Sequence, residues 1–194
     1  MSLLRAFIAI ELPKNTLDAI EKQTTRLHQI LGNESIRWVP TQNMHLTLKF
    51  LGDIATSHME FLKQLLIREA ASHSQFNLQL GGLGSFPTSR RPRLLWIGIH
   101  APANLVSLQK SIEAGASRLG YEQEERVFSP HLTIGRTRQS ISPPELQKIR
   151  AALDTIQLGN IGTARVDSIH LIKSDLQPSG SIYTKLFSAP LTKP

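Results

Sequence analysis

The chain has 194 residues, 40% of them hydrophobic and 19% charged. This suits one globular domain, or two small lobes sharing a core, and excludes a disordered or low-complexity chain. The formal charge of +7 fits a polyanionic partner such as nucleic acid or a phosphate-bearing substrate, and fits equally a solvated basic surface, while the lack of cysteine excludes disulfides, thiolate nucleophiles and cysteine-ligated zinc.

"LLRAFIAIEL" is an apolar run closed by Pro13 and reads as a buried strand. Glu11, Pro13 and Lys14 break it too early for a membrane span, and it lacks the cleavage site of a secretory signal, so a cytoplasmic protein is expected. Leu17, Ile20, Leu27, Ile30 and Leu31 follow at near-helical spacing, with Gly32 as the stop. "IRWVP" is a short strand, and "HLTLKFLG" begins a longer one at His45. "TSHMEFLKQLLIREAASH" is an amphipathic helix that Ser57 is placed to cap. "FNLQLGGLGSFP" alternates like a strand and then meets glycines that signal a bulge or turn. "TSRRPR" (88–93) has the composition of a linker.

"RLLWIGIH" restarts the same order as a compact strand, and "ANLVSLQKSIEAGASRLG" is a helix stopped by Gly120. "FSPHLTIGR" is a strand, and "SPPELQKIRAALD" a helix with Ser142 at its cap and prolines in its first turn. "ARVDSIHLIKSDL" and "SIYTKLFSAPL" are two strands joined by the turn signal "QPSG". The order strand, helix, His-Leu-Thr strand, helix, strand thus occurs twice. One domain over residues 1–194 is expected, an internal duplication with pseudo-symmetric halves at about 1–87 and 94–194. Two copies are too few for a solenoid.

Side chains alternate along a strand. His45 and Thr47 therefore share one face while Leu46 and Leu48 take the other, and His131 and Thr133 stand in the same relation to Leu132 and Ile134. Packing alone requires only the aliphatic residues. Related by a twofold, the polar faces would form a groove holding two imidazoles and two hydroxyls. A metal would want three or four ligands, and Asp53 follows the first motif while Arg136 follows the second, so no carboxylate recurs at matching spacing. A nucleophilic threonine would need its own orienting group. General acid–base catalysis suits the pair best: one neutral imidazole activates the incoming oxygen and one charged imidazole protonates the leaving oxygen, as in an in-line displacement at phosphorus. The threonine hydroxyls can donate to the non-bridging oxygens, and no metal or cofactor is required.

"HLTLKFLG" and "HLTIGR" resemble the two His-x-Thr-x motifs of the 2H phosphoesterase superfamily. "RAFIAIELP", "IRWVPTQNMHLTLKFLGD", "FPTSRRPRLLWIGI", "FSPHLTIGR" and "LIKSDLQPSGSIYTKL" are similar to its RNA 2′,3′-cyclic phosphodiesterase branch, once described as 2′–5′ RNA ligases. The resemblance implies a bilobal α+β fold, two antiparallel sheets around a central cleft with helices on the outside. It implies that His45 is the acid protonating the ribose 3′ oxygen, His131 the base activating water, Thr47 and Thr133 phosphate-orienting hydroxyls, and Arg136 a phosphate contact. It further implies a monomer acting without metal on RNA with 2′,3′-cyclic phosphate ends, such as tRNA fragments, or on cyclic nucleotides. Ligation through a 2′–5′ bond is the same chemistry reversed, and a binding module without turnover is the alternative of another class. Phe50 stands where Arg136 stands in the second motif and is expected either in the core or on a base-binding wall. His170 lacks a threonine two residues on and reads as a strand histidine, and His28, His58, His73 and His100 read as surface or element-end residues. Trp38, Trp96 and Tyr183 read as core or groove wall, with base stacking as the alternative, and Arg90, Arg91 and Arg93 as an RNA-steering run or an exposed linker. If the basic surface meets RNA, binding releases counterions, and the affinity measured by filter binding falls steadily as salt rises from 50 to about 200 mM. A salt-independent affinity would remove that surface from recognition.

Overall fold

The strand β1 (Leu3–Glu11) sends Ala6, Ile8 and Ile10 into the main core and Phe7 and Ala9 to its opposite face, as a central strand must. The computed structural model describes residues 3–178 and 180–193; Ser179, in the expected "QPSG" turn, lies outside them. Helix α1 (Lys14–Leu31) buries Ile20, Leu27 and Leu31 and ends at Gly32, whose φ of 64° is left-handed. Next come β2 (Ile36–Trp38), β3 (His45–Ala55), α2 (Met59–Ala71), β4 (Phe76–Thr88), β5 (Arg91–His100) and α3 (Ala103–Arg118). The chain ends with β6 (His131–Thr137), α4 (Pro143–Thr155), β7 (Asn160–Val166), β8 (Ser168–Gln177) and β9 (Gly180–Pro190). Ser142 closes a capping box with Glu145 ahead of α4, with proline in its first turn. Ser57 does not cap α2: it lies in a 3₁₀ turn, and His58 holds the cap position without a side-chain bond.

All strand pairs are antiparallel, and the main sheet runs β7-β4-β5-β6-β3-β1-β8-β9, with β2 added along β6. The architecture is α+β, two four-stranded halves joined in a curled sheet. The joint is narrow, because β3 and β6 pair only at Leu46↔Leu132. Read outward from it, β3-β1-β8-β9 and β6-β5-β4-β7 correspond strand for strand. The halves exchange elements: β4, from early in the chain, sits beside β5, and the last two strands sit beside β1. Residues 88–93 are the tip of the β4–β5 hairpin, with Ser89 and Arg90 as its turn and the rest in the paired strands, and link no lobes. α1 packs on β7 and α4, α2 on β8 and β9, and α3 on β3, so the helices cover one face of the sheet and leave the other open. Among the described residues no helix is long and apolar enough to cross a membrane.

Both motif strands carry a β-bulge at the same place. Ile8 pairs with Lys49 and Ala9 with Thr47, so Leu48 has no partner on β1; Leu95 pairs with Gly135 and Trp96 with Thr133, so Ile134 has none on β5. The third and fourth residues after each histidine therefore both point into the core, and the fifth returns to the histidine's face. Burial along the two strands runs in the same order over six residues, half-buried and buried alternating through the first four, then buried, then exposed.

The two bulges are filled differently. In the second, Gly135 has no side chain, and a Cβ there would come within 2.8 Å of Ile36 and 3.0 Å of Trp38. In the first, Lys49 is buried and its ammonium needs partners. It binds Glu113 of α3 at 2.5 Å and donates to the Glu122 carbonyl at 2.5 Å, while the same Glu113 oxygen accepts from the Glu124 amide at 3.0 Å. Removing one member of a buried pair strands the other, which typically costs ~3–5 kcal/mol, whereas replacing both by apolar groups is often neutral. Lys49→Met should therefore lower the urea midpoint strongly, and Lys49→Met/Glu113→Leu should recover most of the loss; a double variant no better than the single would show that the pair itself is required.

Candidate active site

Leu46 and Leu132 face each other across the joint with both side chains in the core. Directly paired residues emerge on the same face, so the flanking His45, Thr47, His131 and Thr133 all project from the opposite, open face. Antiparallel direction sets His45 toward Thr133 and His131 toward Thr47. The cleft expected from the repeated motif is thus built by the joint itself, and all four residues are half-buried in it. Arg136 is exposed and, through the bulge, points to the same side. Strict alternation would have turned this fifth residue away.

Each histidine is held in the same way. His45 Nδ1 lies 2.8 Å from the carbonyl of Asn43, and His131 Nδ1 lies 2.7 Å from that of Ser129, two residues back in each case. A carbonyl oxygen only accepts, so Nδ1 carries the proton and donates, leaving Nε2 to exchange a proton with a substrate. Neither carbonyl partner is legible in sequence, because a main-chain acceptor has no residue type.

The walls differ. His45 stacks on Phe7 (4.6 Å, 25°) and meets the edge of Tyr183 (5.1 Å, 90°). His131 meets Phe86 edge-on (4.9 Å, 82°), with Trp96 further off at 6.5 Å. Gly84 makes room for Trp96, since a Cβ there would overlap the indole at 2.2 Å. Tyr183 and Trp96 are therefore groove wall, while Trp38 packs on His28 (4.0 Å) and donates to the Gly32 carbonyl, away from the cleft. Phe50 stands exposed on the cleft face beside Phe7 (6.1 Å). Arg37, unmarked in the sequence, pairs with Arg136 across β2 and β6 and so shares its face.

Burial pushes both imidazoles below the ordinary histidine value. The carbonyl bonds work in the other direction, and Arg136 lowers both further, so its charge reaches both rings. Glu11, paired with His45 across β1 and β3 and bridged to Lys185 at 2.6 Å, favours the protonated form of His45. His170 is buried, its ring nitrogens 2.9 Å from Ser188 Oγ and 3.4 Å from Ser168 Oγ. His73 bonds the Glu69 carbonyl and His58 faces Tyr121, so both have local structural roles. Arg90, Arg91 and Arg93 are exposed on the β4–β5 hairpin, where Arg150 binds the Arg90 carbonyl. Among the described residues no three His, Asp or Glu side chains come together as a metal site.

A curled antiparallel sheet whose two central strands each open with His-Leu-Thr, both histidines facing one cleft, is the architecture of a 2H phosphoesterase. Residues 16–178 match the 2′-5′ RNA ligase superfamily, and the chain belongs to that family. It is 33% identical to an RNA 2′,3′-cyclic phosphodiesterase of Aquifex aeolicus, over 95% of either chain. It is 32% identical to one of Methanocaldococcus jannaschii, over 93% of this chain and 96% of that one. The crystal structure of E. coli LigT complexed with 3′-AMP superimposes with a TM-score of 0.79 at 27% identity, over 99% of this chain and 100% of the other.

Removing the positive charge of Arg136 favours the protonated imidazole. Arg136→Met should therefore raise the pKa of both His45 and His131, read by NMR titration of the ring protons, and leave that of His28 in place. A shift confined to one ring would mean that the guanidinium does not stand between them.

Proposed function

We propose that the protein opens RNA 2′,3′-cyclic phosphates to 2′-phosphomonoesters by metal-independent acid–base catalysis. The observation that carries this reading is the symmetric pair of imidazoles on one cleft face, each with Nδ1 tied to a carbonyl and Nε2 without a hydrogen-bond partner among the described residues. In-line displacement at phosphorus needs a base on the side of the entering oxygen and an acid on the side of the leaving one. Relatives named RNA 2′,3′-cyclic phosphodiesterase over nearly the full chain support the substrate class.

His131 takes a proton from water, the water oxygen bonds to phosphorus, the bond to the ribose 3′ oxygen breaks, and His45 protonates that oxygen. The phosphate remains on the 2′ oxygen, and the histidines have exchanged protonation states. Burial lowers the His45 pKa on balance, and Glu11 beside it works against that lowering, which favours the protonated form once the anionic substrate is bound. Thr47, Thr133 and Arg136 donate to the non-bridging oxygens, where charge builds as water adds. The donor set supports metal independence, with two imidazoles and no third ligand grouped with them among the described residues. The cleft is built from strands of one chain around one joint, which supports a monomer.

Burial and Arg136 hold the free imidazoles toward neutrality, and an incoming phosphodiester, being anionic, favours their protonation. The pH profile of cyclic-nucleotide turnover should be bell-shaped, with the limbs of kcat displaced to higher pH than those of kcat/KM, both belonging to the coupled pair. His45→Ala and His131→Ala should each lose on the order of 10²- to 10⁴-fold in kcat while folding normally. Activity should survive EDTA. Near-normal turnover in either variant, or loss in EDTA restored by a divalent ion, would overturn the mechanism.

A further inference from the structure

We infer that Lys49 and Glu113 are positioning residues for His131: their buried ion pair fixes the segment whose carbonyl holds that imidazole, and ties it to the strand that carries His45. The effect on rate rests on the phosphodiesterase reading; the effect on the His131 ring rests on the geometry alone.

The two motif strands pair only at Leu46↔Leu132, so two imidazoles that must flank one phosphorus need a second tie between them. Residues 121–130, which lead from α3 into His131, form neither helix nor strand, and residues 122–127 are all exposed. This segment nevertheless sets the site, because the Ser129 carbonyl lies 2.7 Å from His131 Nδ1. Among the described residues, Glu122 to Phe128 make two hydrogen bonds to the rest of the fold, and both go to the buried pair. Lys49 Nζ donates to the Glu122 carbonyl at 2.5 Å, and the Glu124 amide donates to Glu113 Oε1 at 3.0 Å. Phe128 adds an apolar contact with the main core. The Asn43 carbonyl, which holds His45, belongs instead to a 3₁₀ turn (Thr41–Asn43) with its own bonds from the Asn43 amide to Pro40 and from the Met44 amide to Thr41.

Helix α3 grips the first bulge at the same place. Gln109 and Glu113 stand one turn apart, both buried; Gln109 Nε2 lies 3.4 Å from the Leu48 carbonyl, and Glu113 binds the Lys49 ammonium at 2.5 Å. One ion pair therefore joins the His45 strand, the helix that precedes the His131 strand and the segment between them. Two apolar side chains would fill the same volume at little cost in stability. They could neither donate to the Glu122 carbonyl nor accept from the Glu124 amide, so the polar groups serve the segment rather than the core.

The test uses Lys49→Met/Glu113→Leu, the double variant expected to recover most of the stability that Lys49→Met loses. With adenosine 2′,3′-cyclic phosphate its kcat should fall on the order of 10- to 100-fold, the scale of a small misplacement of a catalytic group, while KM changes little because Thr47, Thr133 and Arg136 remain. Long-range ¹H–¹⁵N spectra of the imidazoles should show His131 leaving the fixed Nδ1–H tautomer for a mixture while His45 keeps it. Glu113→Gln, which retains an acceptor for Lys49 and the Glu124 amide but not the charge, should unfold at lower urea and, while folded, turn over close to the wild-type rate. A double variant with wild-type kcat, one whose His131 keeps its tautomer, or Glu113→Gln slowed as far as the double variant overturns the positioning role and leaves the phosphodiesterase reading intact. Should neither variant fold, hydrogen exchange in the wild type decides: the Glu124 amide should be protected, and exchange as fast as at Gln123 and Glu125 overturns the tie. A wild type that opens no cyclic phosphate overturns the phosphodiesterase reading, and the tautomer readout still decides the tie.

Discussion

A β-strand offers only every second residue to one face, and the site depends on breaking that rule once in each motif strand. Without the bulges at Leu48–Lys49 and Ile134–Gly135, His45, Thr47, His131 and Thr133 would still face the cleft, but Phe50 and Arg136 would point into the core. The bulge costs two consecutive core-facing positions. One half fills them with a buried lysine neutralised by Glu113 and the Glu122 carbonyl; the other uses a glycine under Ile36 and Trp38. The backbone device is symmetric and its chemistry is not, and this difference makes one half cationic and the other aromatic.

The narrow joint does the rest. Because β3 and β6 meet only at Leu46 and Leu132, the sheet halves can curl apart on either side while the residues next to the joint stay together. Rigidity at the imidazoles comes from short-range bonds to the carbonyls of Asn43 and Ser129. The order of their Nε2 atoms is therefore set by backbone that enters each strand, and their tautomer by the only role a carbonyl can play.

The repeated His-Leu-Thr was legible in the sequence because alternation and repetition are local. So were the Ser142 cap and the element order as far as α4, but "ARVDSIHLIKSDL", read as one strand, breaks at Asp167 into β7 and β8, which lie in opposite halves of the sheet. The pairing that exchanges β4 with β8 and β9 between the halves was not legible, since equal apolar strands carry no mark of their neighbours, and "TSRRPR" read as a linker when it is the tip of a hairpin. Ser57 had the right residue type and the wrong place, because a 3₁₀ turn intervenes before α2. Arg136 was reached by resemblance; by alternation alone it faced the wrong way, and only the bulge reconciles the two. Phe7, Phe86 and Arg37 reach the cleft through pairing across strands far apart in the chain, and no local pattern marked them.

The central claim is directional: two equivalent imidazoles act on opposite sides of one phosphorus, with His45 at the ribose 3′ oxygen. Phosphorus NMR of the product formed from adenosine 2′,3′-cyclic phosphate reads that direction. The account predicts adenosine 2′-phosphate as the sole product. Adenosine 3′-phosphate would contradict it, because the leaving oxygen at His45 would then be the 2′ oxygen and the substrate would lie the other way round in the cleft.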